Sequence, residues 1–147
     1  MQKEQLEKDS VISEIRDETE NLAYLKKYKF KKTLSKLVKK LQGKTVLLYG
    51  AGVFLETIKK HYDLSGLNII GISDVKYEGY SKEDEFLGYK TYAPILIREL
   101  NPDYVVVSTK YYMKIVENLN DNILNGTDIK IKPLVRKGFW ALLKEVM

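Results

Sequence analysis

The sequence predicts an α/β domain in three layers, with a mostly parallel five-stranded sheet of strand order 3-2-1-4-5 and a helical arm in front of it. After residue 43, short continuous apolar segments alternate with amphipathic segments, which is typical of a parallel sheet covered by helices on both faces. Right-handed crossover connections favour that strand order. We therefore expect two parts, a charged helical arm of residues 1–43 and an α/β domain of residues 44–147.

The arm is predicted to contain two helices. Apolar residues recur at helical spacing over residues 11–25, and they recur at i, i+3, i+4 and i+7 over residues 34–41. Thr33 is a candidate N-cap for the second helix, and Gly43 suits the left-handed position just after its end. Between the helices lies the lysine-rich segment 26–32, where repulsion between like charges favours a break.

The domain is predicted to contain five short strands bounded by turn signals, of which the first, second and fourth are the most apolar. The strands are expected over residues 45–49, 68–73, 89–92, 104–108 and 129–134. Helices are expected over residues 54–62, from Pro94 onward, over residues 111–124 and over residues 139–146. Residues 74–85 have the composition of a loop.

Charge is distributed very unevenly along the 147 residues. The formal net charge is +5, from 25 Lys and Arg against 20 Asp and Glu. Residues 1–20 carry three basic and seven acidic residues, residues 26–44 carry nine lysines and no acid, and residues 45–147 carry thirteen of each sign. The lysine segment has no arginine and few aromatic residues, which disfavours nucleic acid as its partner.

Three interpretations of the lysine segment stay open. It is a solvated helix face, or it contacts an anionic membrane as a peripheral amphipathic helix. Alternatively, it contacts the acidic half of the arm, in the same chain or in a second copy. The last interpretation predicts a homo-oligomer formed through the N-terminal helices.

The composition also limits the chemistry and the location. The chain has no Cys and a single His, so disulfides, thiol catalysis and Cys-based metal sites are excluded and no metal cofactor is expected. No segment approaches the roughly 18 apolar residues of a membrane-spanning helix. The first thirty residues lack the apolar core of a secretion signal, so we expect a cytoplasmic protein. No residue pattern assigns a catalytic role, and the sequence does not decide whether the protein is an enzyme.

Candidate ligand-binding residues follow three of the predicted strands, because the carboxyl ends of parallel strands meet at one edge and ligands bind where the winding reverses. Two glycines after the first strand allow a tight turn and the close approach of a pyrophosphate, and the next helix presents free N–H groups to it. A carboxylate after the second strand, 22 residues beyond Gly52, suits ribose hydroxyls. The candidate cofactor-binding residues are Gly50, Ala51, Gly52, Val53, Phe54, Asp74, Ser108 and Thr109.

Each of these residues also has a simpler interpretation. Leu55 stands where a dinucleotide fingerprint has its third glycine, so the turn is also explained as a tight strand–helix connection without a ligand. Asp74 also suits the start of a loop, and Ser108 and Thr109 also suit helix N-capping. The alternative function is a domain that binds no small molecule and acts by protein–protein contact through its N-terminal helices.

Four segments resemble the Rossmann-like domains of bacterial polysaccharide and sugar-modifying proteins. The segments are residues 47–52 (LLYGAG), 70–74 (IGISD), 86–94 (FLGYKTYAP) and 102–108 (PDYVVVS). Such domains occur in nucleoside-diphosphate-sugar epimerase/dehydratase proteins and at the C-terminus of sugar C-methyltransferases. The resemblance implies a nucleotide-type ligand, NAD(P), a nucleotide-sugar or a CoA-like molecule, bound at Gly50, Gly52 and Asp74. It marks a broad superfamily and specifies no single activity.

Overall fold

A computed structural model describes residues 2–79 and 85–137 of the chain. The helices are α1 (Gln2–Lys27), α2 (Phe30–Lys40), α3 (Val53–His61), α4 (Ile97–Leu100) and α5 (Tyr112–Asn122). The strands are β1 (Thr45–Tyr49), β2 (Asn68–Ser73), β3 (Glu85–Phe86), β4 (Tyr89–Tyr92), β5 (Tyr104–Val107) and β6 (Lys130–Pro133). The predicted helix over residues 139–146 lies outside the described residues. None of the described helices is long and apolar enough to cross a membrane.

The six strands form one mostly parallel sheet in the order β3-β4-β2-β1-β5-β6. The central strand β1 pairs in parallel with β2 on one side and with β5 on the other. Strands β4 and β6 continue the parallel pairing outward from β2 and β5. The chain therefore has the α/β class that the alternation of its segments predicts.

The prediction of five strands in the order 3-2-1-4-5 is wrong, because a sixth strand forms the edge next to β4. Strand β3 pairs antiparallel with β4, with Phe86 opposite Tyr89. The connection consists of Leu87 and Gly88, whose φ angles are +54° and +84°. Two consecutive positive φ angles are typical of a tight hairpin turn. Leucine rarely adopts such a conformation, so the sequence gives little sign of this turn.

Helices cover both faces of the sheet because successive strand side chains point to opposite sides. Val46 and Leu48 of β1 lie in one hydrophobic cluster with side chains of α1, α2 and α3. Leu47 and Tyr49 lie in a second cluster with side chains of α4 and α5. The central strands β1 and β5 are thus buried on both faces, as their continuous apolar character predicts.

The second half of the arm contributes to the first of these clusters. Leu25, Phe30, Leu34 and Leu41 are between 0% and 6% exposed and pack in the same cluster as β1 and α3. Helix α1 also contacts α3 through a hydrogen bond that the Asn21 side-chain amide donates to the Thr57 hydroxyl. The arm is therefore joined to the α/β core by burial, while a boundary between folding units at residue 43 stays a prediction.

The break between the arm helices falls inside the lysine-rich segment, as predicted. Helix α1 ends at Lys27, and Lys29 adopts a left-handed conformation with φ of +52° immediately before α2. The prediction of Thr33 as N-cap is wrong, because α2 already begins at Phe30 and the Thr33 hydroxyl donates a hydrogen bond to the Phe30 carbonyl. Gly43 has the expected left-handed φ of +78°.

Glu18, in the acidic part of α1, contacts the end of α3. Glu18 Oε1 lies 2.6 Å from His61 Nε2 and 3.0 Å from Lys60 Nζ. The hydrogen bonds from His61 and Lys60 lower the pKa of Glu18 below its usual 4.5. Because Lys60 and His61 occupy the last turn of α3, their side chains also lie at the negative end of that helix dipole.

Candidate functional site

The structure brings the ends of β1, β2 and β5 together at one edge of the sheet. The Gly50 N–H donates to the Ser73 carbonyl at 2.8 Å, and the Ser108 N–H donates to the Tyr49 carbonyl at 2.8 Å. These two bonds extend the ladders on either side of β1 by one residue. The residues that follow the three strands therefore share one small region.

Gly50 makes the turn from β1 toward α3 and leaves no room for a side chain. Its φ is +120°, and a Cβ atom there would lie 2.5 Å from Thr109 Cγ2 and 3.3 Å from the Ser108 carbonyl. The buried Ser108 hydroxyl lies 2.7 Å from the Gly50 carbonyl oxygen and 3.1 Å from that of Tyr49. This hydroxyl thus holds the turn against the end of β5.

Helix N-capping is the wrong interpretation of Ser108 and Thr109. Helix α5 begins at Tyr112, and its N-cap residue is Tyr111, with no side-chain cap bond. Ser108 bonds to the β1 turn instead. Thr109 lies against Gly50, and its Oγ1 is buried without a hydrogen-bond partner in the part of the chain that the structure describes.

Asp74 connects the turn after β1 to the loop after β2. Its Oδ2 accepts a hydrogen bond from the Ala51 N–H at 2.7 Å, and its Oδ1 accepts one from the Lys76 N–H at 3.1 Å. The interpretation of Asp74 as a loop-starting residue is therefore confirmed, since it caps the short 3₁₀ turn Val75–Tyr77. Each carboxylate oxygen retains acceptor capacity for a further donor.

The N-terminus of α3 opens onto free space. Gly52 is its N-cap residue with φ of −128°, and no side chain caps the helix. A Cβ atom at Gly52 would meet no heavy atom within 4 Å. Val53 is 47% exposed, whereas Phe54 and Leu55 are buried in the core. The first N–H groups of a helix lack intrahelical partners and carry the positive end of its dipole.

Two lysines that were not among the predicted site residues lie beside the turn between β1 and α3. The Lys76 ammonium donates a hydrogen bond to the Ala51 carbonyl and lies 5.0 Å from the Phe86 ring centroid. The Lys110 ammonium lies 5.5 Å from the Phe54 ring centroid. Their neighbours come from distant parts of the chain, so no local sequence pattern could have identified them.

Two buried hydroxyl groups at this edge have unused hydrogen-bonding capacity. Ser73 Oγ and Thr109 Oγ1 find no partner among residues 2–79 and 85–137. A buried polar atom without a partner is uncommon and calls for a water molecule or a ligand.

Burial and then the charges of Asp74 and Glu78 raise the pKa of the neighbouring Tyr49, so its hydroxyl keeps its proton at neutral pH.

No protein-family model, curated protein sequence or solved structure matches the chain. Within residues 2–79 and 85–137, no group of three or more His, Asp or Glu side chains could hold a metal ion. The functional interpretation therefore depends on the chemistry of the β1 turn itself.

Proposed function

We propose that the chain binds a nucleotide-type ligand, NAD(P) or a nucleotide-sugar, at the turn that joins β1 to α3. The observation that carries this proposal is the uncapped N-terminus of α3, which opens at Gly52 next to the Asp74 carboxylate. This arrangement offers a donor group for phosphate and an acceptor group for ribose side by side.

The diphosphate of the ligand would lie over Gly52. Backbone N–H groups and the positive end of the α3 dipole attract an anion there. The ammonium groups of Lys76 and Lys110 lie around the same turn and add positive charge. Gly52 provides the space, because nothing occupies the volume above its Cα atom.

The ribose of the ligand would lie toward the end of β2. The remaining lone pairs of Asp74 suit the donor hydroxyls of a sugar. Thr109 Oγ1 lies on the other side of Gly50, and its unused hydrogen-bonding capacity is available to a polar group of the ligand. The resemblance of the four motif segments supports a cytoplasmic role in bacterial sugar or polysaccharide modification. We assign no reaction to the site.

The test is thermal unfolding with NAD, NADP, UDP-sugars, dTDP-sugars and CoA, compared between the wild-type chain and Gly52→Val. A ligand present at 100 times its Kd should stabilise the wild type by about 2.7 kcal/mol. The valine should abolish that shift because its side chain occupies the volume proposed for phosphate. It should leave the unliganded protein folded, since nothing lies within 4 Å of the added Cβ.

Ser35→Val is the matched control, because it adds the same side chain at an exposed position of α2. The control should keep the full ligand-induced shift. If none of the ligands stabilises the wild type, the nucleotide proposal fails. If the shift survives in Gly52→Val, the ligand binds elsewhere.

A second candidate function is protein–protein contact through the N-terminal helices, and a specific observation favours it. Ile12 and Ile15 of α1 are 55% and 60% exposed. These two isoleucines lie three residues apart on one helix face and form a small apolar patch that an interface could cover, and we propose a second copy of this chain as the partner. Sedimentation equilibrium should show a dimer for the wild type and a monomer for Ile12→Glu/Ile15→Glu. A wild type that remains monomeric at high concentration would contradict this candidate.

A further inference from the structure

A groove with an unusual concentration of positive charge lies between α2 and the end of β6. Its volume is about 630 Å³, and the side chains lining it include six lysines and one arginine. One wall carries Lys32, Lys36 and Lys40, spaced by four residues along α2, which places them on one helix face. The other wall carries Lys132 and Arg136. No acidic residue lines the groove among the described residues.

Lys32, Lys36, Lys40, Lys132 and Arg136 form no ion pair with a carboxylate in the described part of the chain. The ion pairs there join Glu18 to Lys60 and His61 on α3, and none involves α2, Lys132 or Arg136. Glu18 of α1 therefore pairs with α3 and not with the groove. Like charges held this close repel one another, so the folded state carries an electrostatic cost that a bound anion would remove.

Lys132 shows the effect of this repulsion. The nearby Lys40 side chain, then burial, then the charges of Lys40, Arg136 and Lys130 lower the pKa of Lys132 below its usual 10.5. The fold thus brings the side chains of Lys40 and Lys132 together from opposite walls of the groove. Perturbation of a titratable group in a cleft by specific charged neighbours is common at binding sites.

We propose that this groove binds a small anion with two or more phosphate groups. A phosphate group concentrates up to two negative charges and three acceptor oxygens at one point, which matches cations crowded into one groove. The volume falls in the range of small-molecule sites, about 300–1,000 Å³. Tyr28 also lines the groove, and a phenol hydroxyl can donate to a phosphate oxygen. The phosphates belong to a soluble molecule or to a lipid headgroup, and the same contacts serve both.

The test is the affinity of the whole chain for inorganic tripolyphosphate, measured by titration calorimetry. Lys40→Gln/Lys132→Gln should raise the Kd by about tenfold or more, because it removes one charged donor from each wall of the groove. Lys31→Gln/Lys39→Gln is the matched control. It removes the same amount of charge from two exposed lysines of α2 that lie outside the groove. It should therefore change the Kd by less than about threefold.

Vesicles with and without a phosphoinositide bisphosphate distinguish the two sources of phosphate. If the protein binds only the vesicles that contain the phosphoinositide, and tripolyphosphate releases it from them, the ligand is a lipid headgroup. If the protein binds tripolyphosphate but no vesicles, the ligand is a soluble molecule. Equal losses in the two double variants would mean diffuse attraction and would overturn the proposal. The proposal would also be overturned if the protein bound neither tripolyphosphate nor the vesicles. A higher affinity for a single-stranded oligonucleotide than for tripolyphosphate and the vesicles would overturn it as well. If Lys40→Gln/Lys132→Gln abolished dimerisation but left the affinity for tripolyphosphate unchanged, the lysines would contact a second copy of the chain, and the phosphate proposal would be overturned.

The groove is distinct from the nucleotide site proposed at the β1 turn, and the two can fail separately. Gly52→Val should keep its affinity for tripolyphosphate, because Gly52 does not line the groove. Lys40→Gln/Lys132→Gln should keep any stabilisation by nucleotides that the wild type shows. Loss of tripolyphosphate binding in Gly52→Val would place the anion at the β1 turn and overturn the groove proposal.

Discussion

Replacement of Phe30 by alanine should lower the free energy of unfolding by about 3–5 kcal/mol, the range typical of a large aromatic residue removed from a core. Phe30 is 1% exposed and packs edge-to-face against Tyr62 with 4.8 Å between ring centroids. The variant would leave a cavity between the arm and the end of α3. Chemical denaturation followed by circular dichroism measures the loss.

The size of the Phe30→Ala effect tests how far the arm and the α/β core form one unit. Lys31→Ala is the control, since Lys31 is the exposed neighbour of Phe30 on α2 and should change stability by less than about 0.5 kcal/mol. A loss below about 1 kcal/mol for Phe30→Ala would indicate that the arm packs only weakly on the sheet. A two-step transition would indicate that arm and domain unfold separately.

Replacement of Gly50 by alanine should destabilise the protein by about 2–4 kcal/mol, through backbone strain and overpacking. The added Cβ would lie 2.5 Å from Thr109 Cγ2, and the φ of +120° is unfavourable for any other residue. Because Gly50 bonds to both neighbouring strand ends, it cannot shift without disturbing the ladder. Thermal and chemical denaturation should agree on the loss.

Gly52→Ala is the control for Gly50→Ala, because the two glycines share one turn and differ in their surroundings. It should change stability by less than about 1 kcal/mol, since capping and unfolded-state entropy act in opposite directions. Thr109→Ser in the Gly50→Ala background removes the Cγ2 atom and should recover part of the loss. Equal effects of alanine at Gly50 and Gly52 would contradict the steric explanation.

The parallel strands could be predicted from sequence because their signal is local. Continuous runs of apolar residues mark strands buried on both faces, as in β1 and β5. The predicted bounds 45–49, 68–73 and 89–92 are the bounds of β1, β2 and β4. Strand β3 was not predictable on the same grounds. It depends on a turn at Leu87 and Gly88, and the sequence lacks the asparagine or aspartate that usually signals such a turn.

The candidate site was predictable in its backbone and not in its charges. Gly50 and Asp74 follow strands, so the topology alone brings them to one edge. Lys76 and Lys110 reach the turn through their own long side chains, and such contacts depend on rotamers rather than on sequence spacing. In the same way, the lysines of α2 were visible in the sequence as charge. Their opposite wall, with Lys132 and Arg136, appears only when β6 is placed beside the helix.

The buried and the exposed apolar residues of α1 lie on different faces of the helix. Leu25 is buried under the strand layer, whereas Ile12 and Ile15 are exposed. At about 100° and 1.5 Å per residue, the isoleucines point roughly 80–140° away from Leu25 and lie about 15–20 Å farther along the axis. A partner that binds these isoleucines therefore lies at a defined distance and direction from the sheet. A displacement of α1 by that partner would reach α3 through the contacts of Asn21 and Glu18.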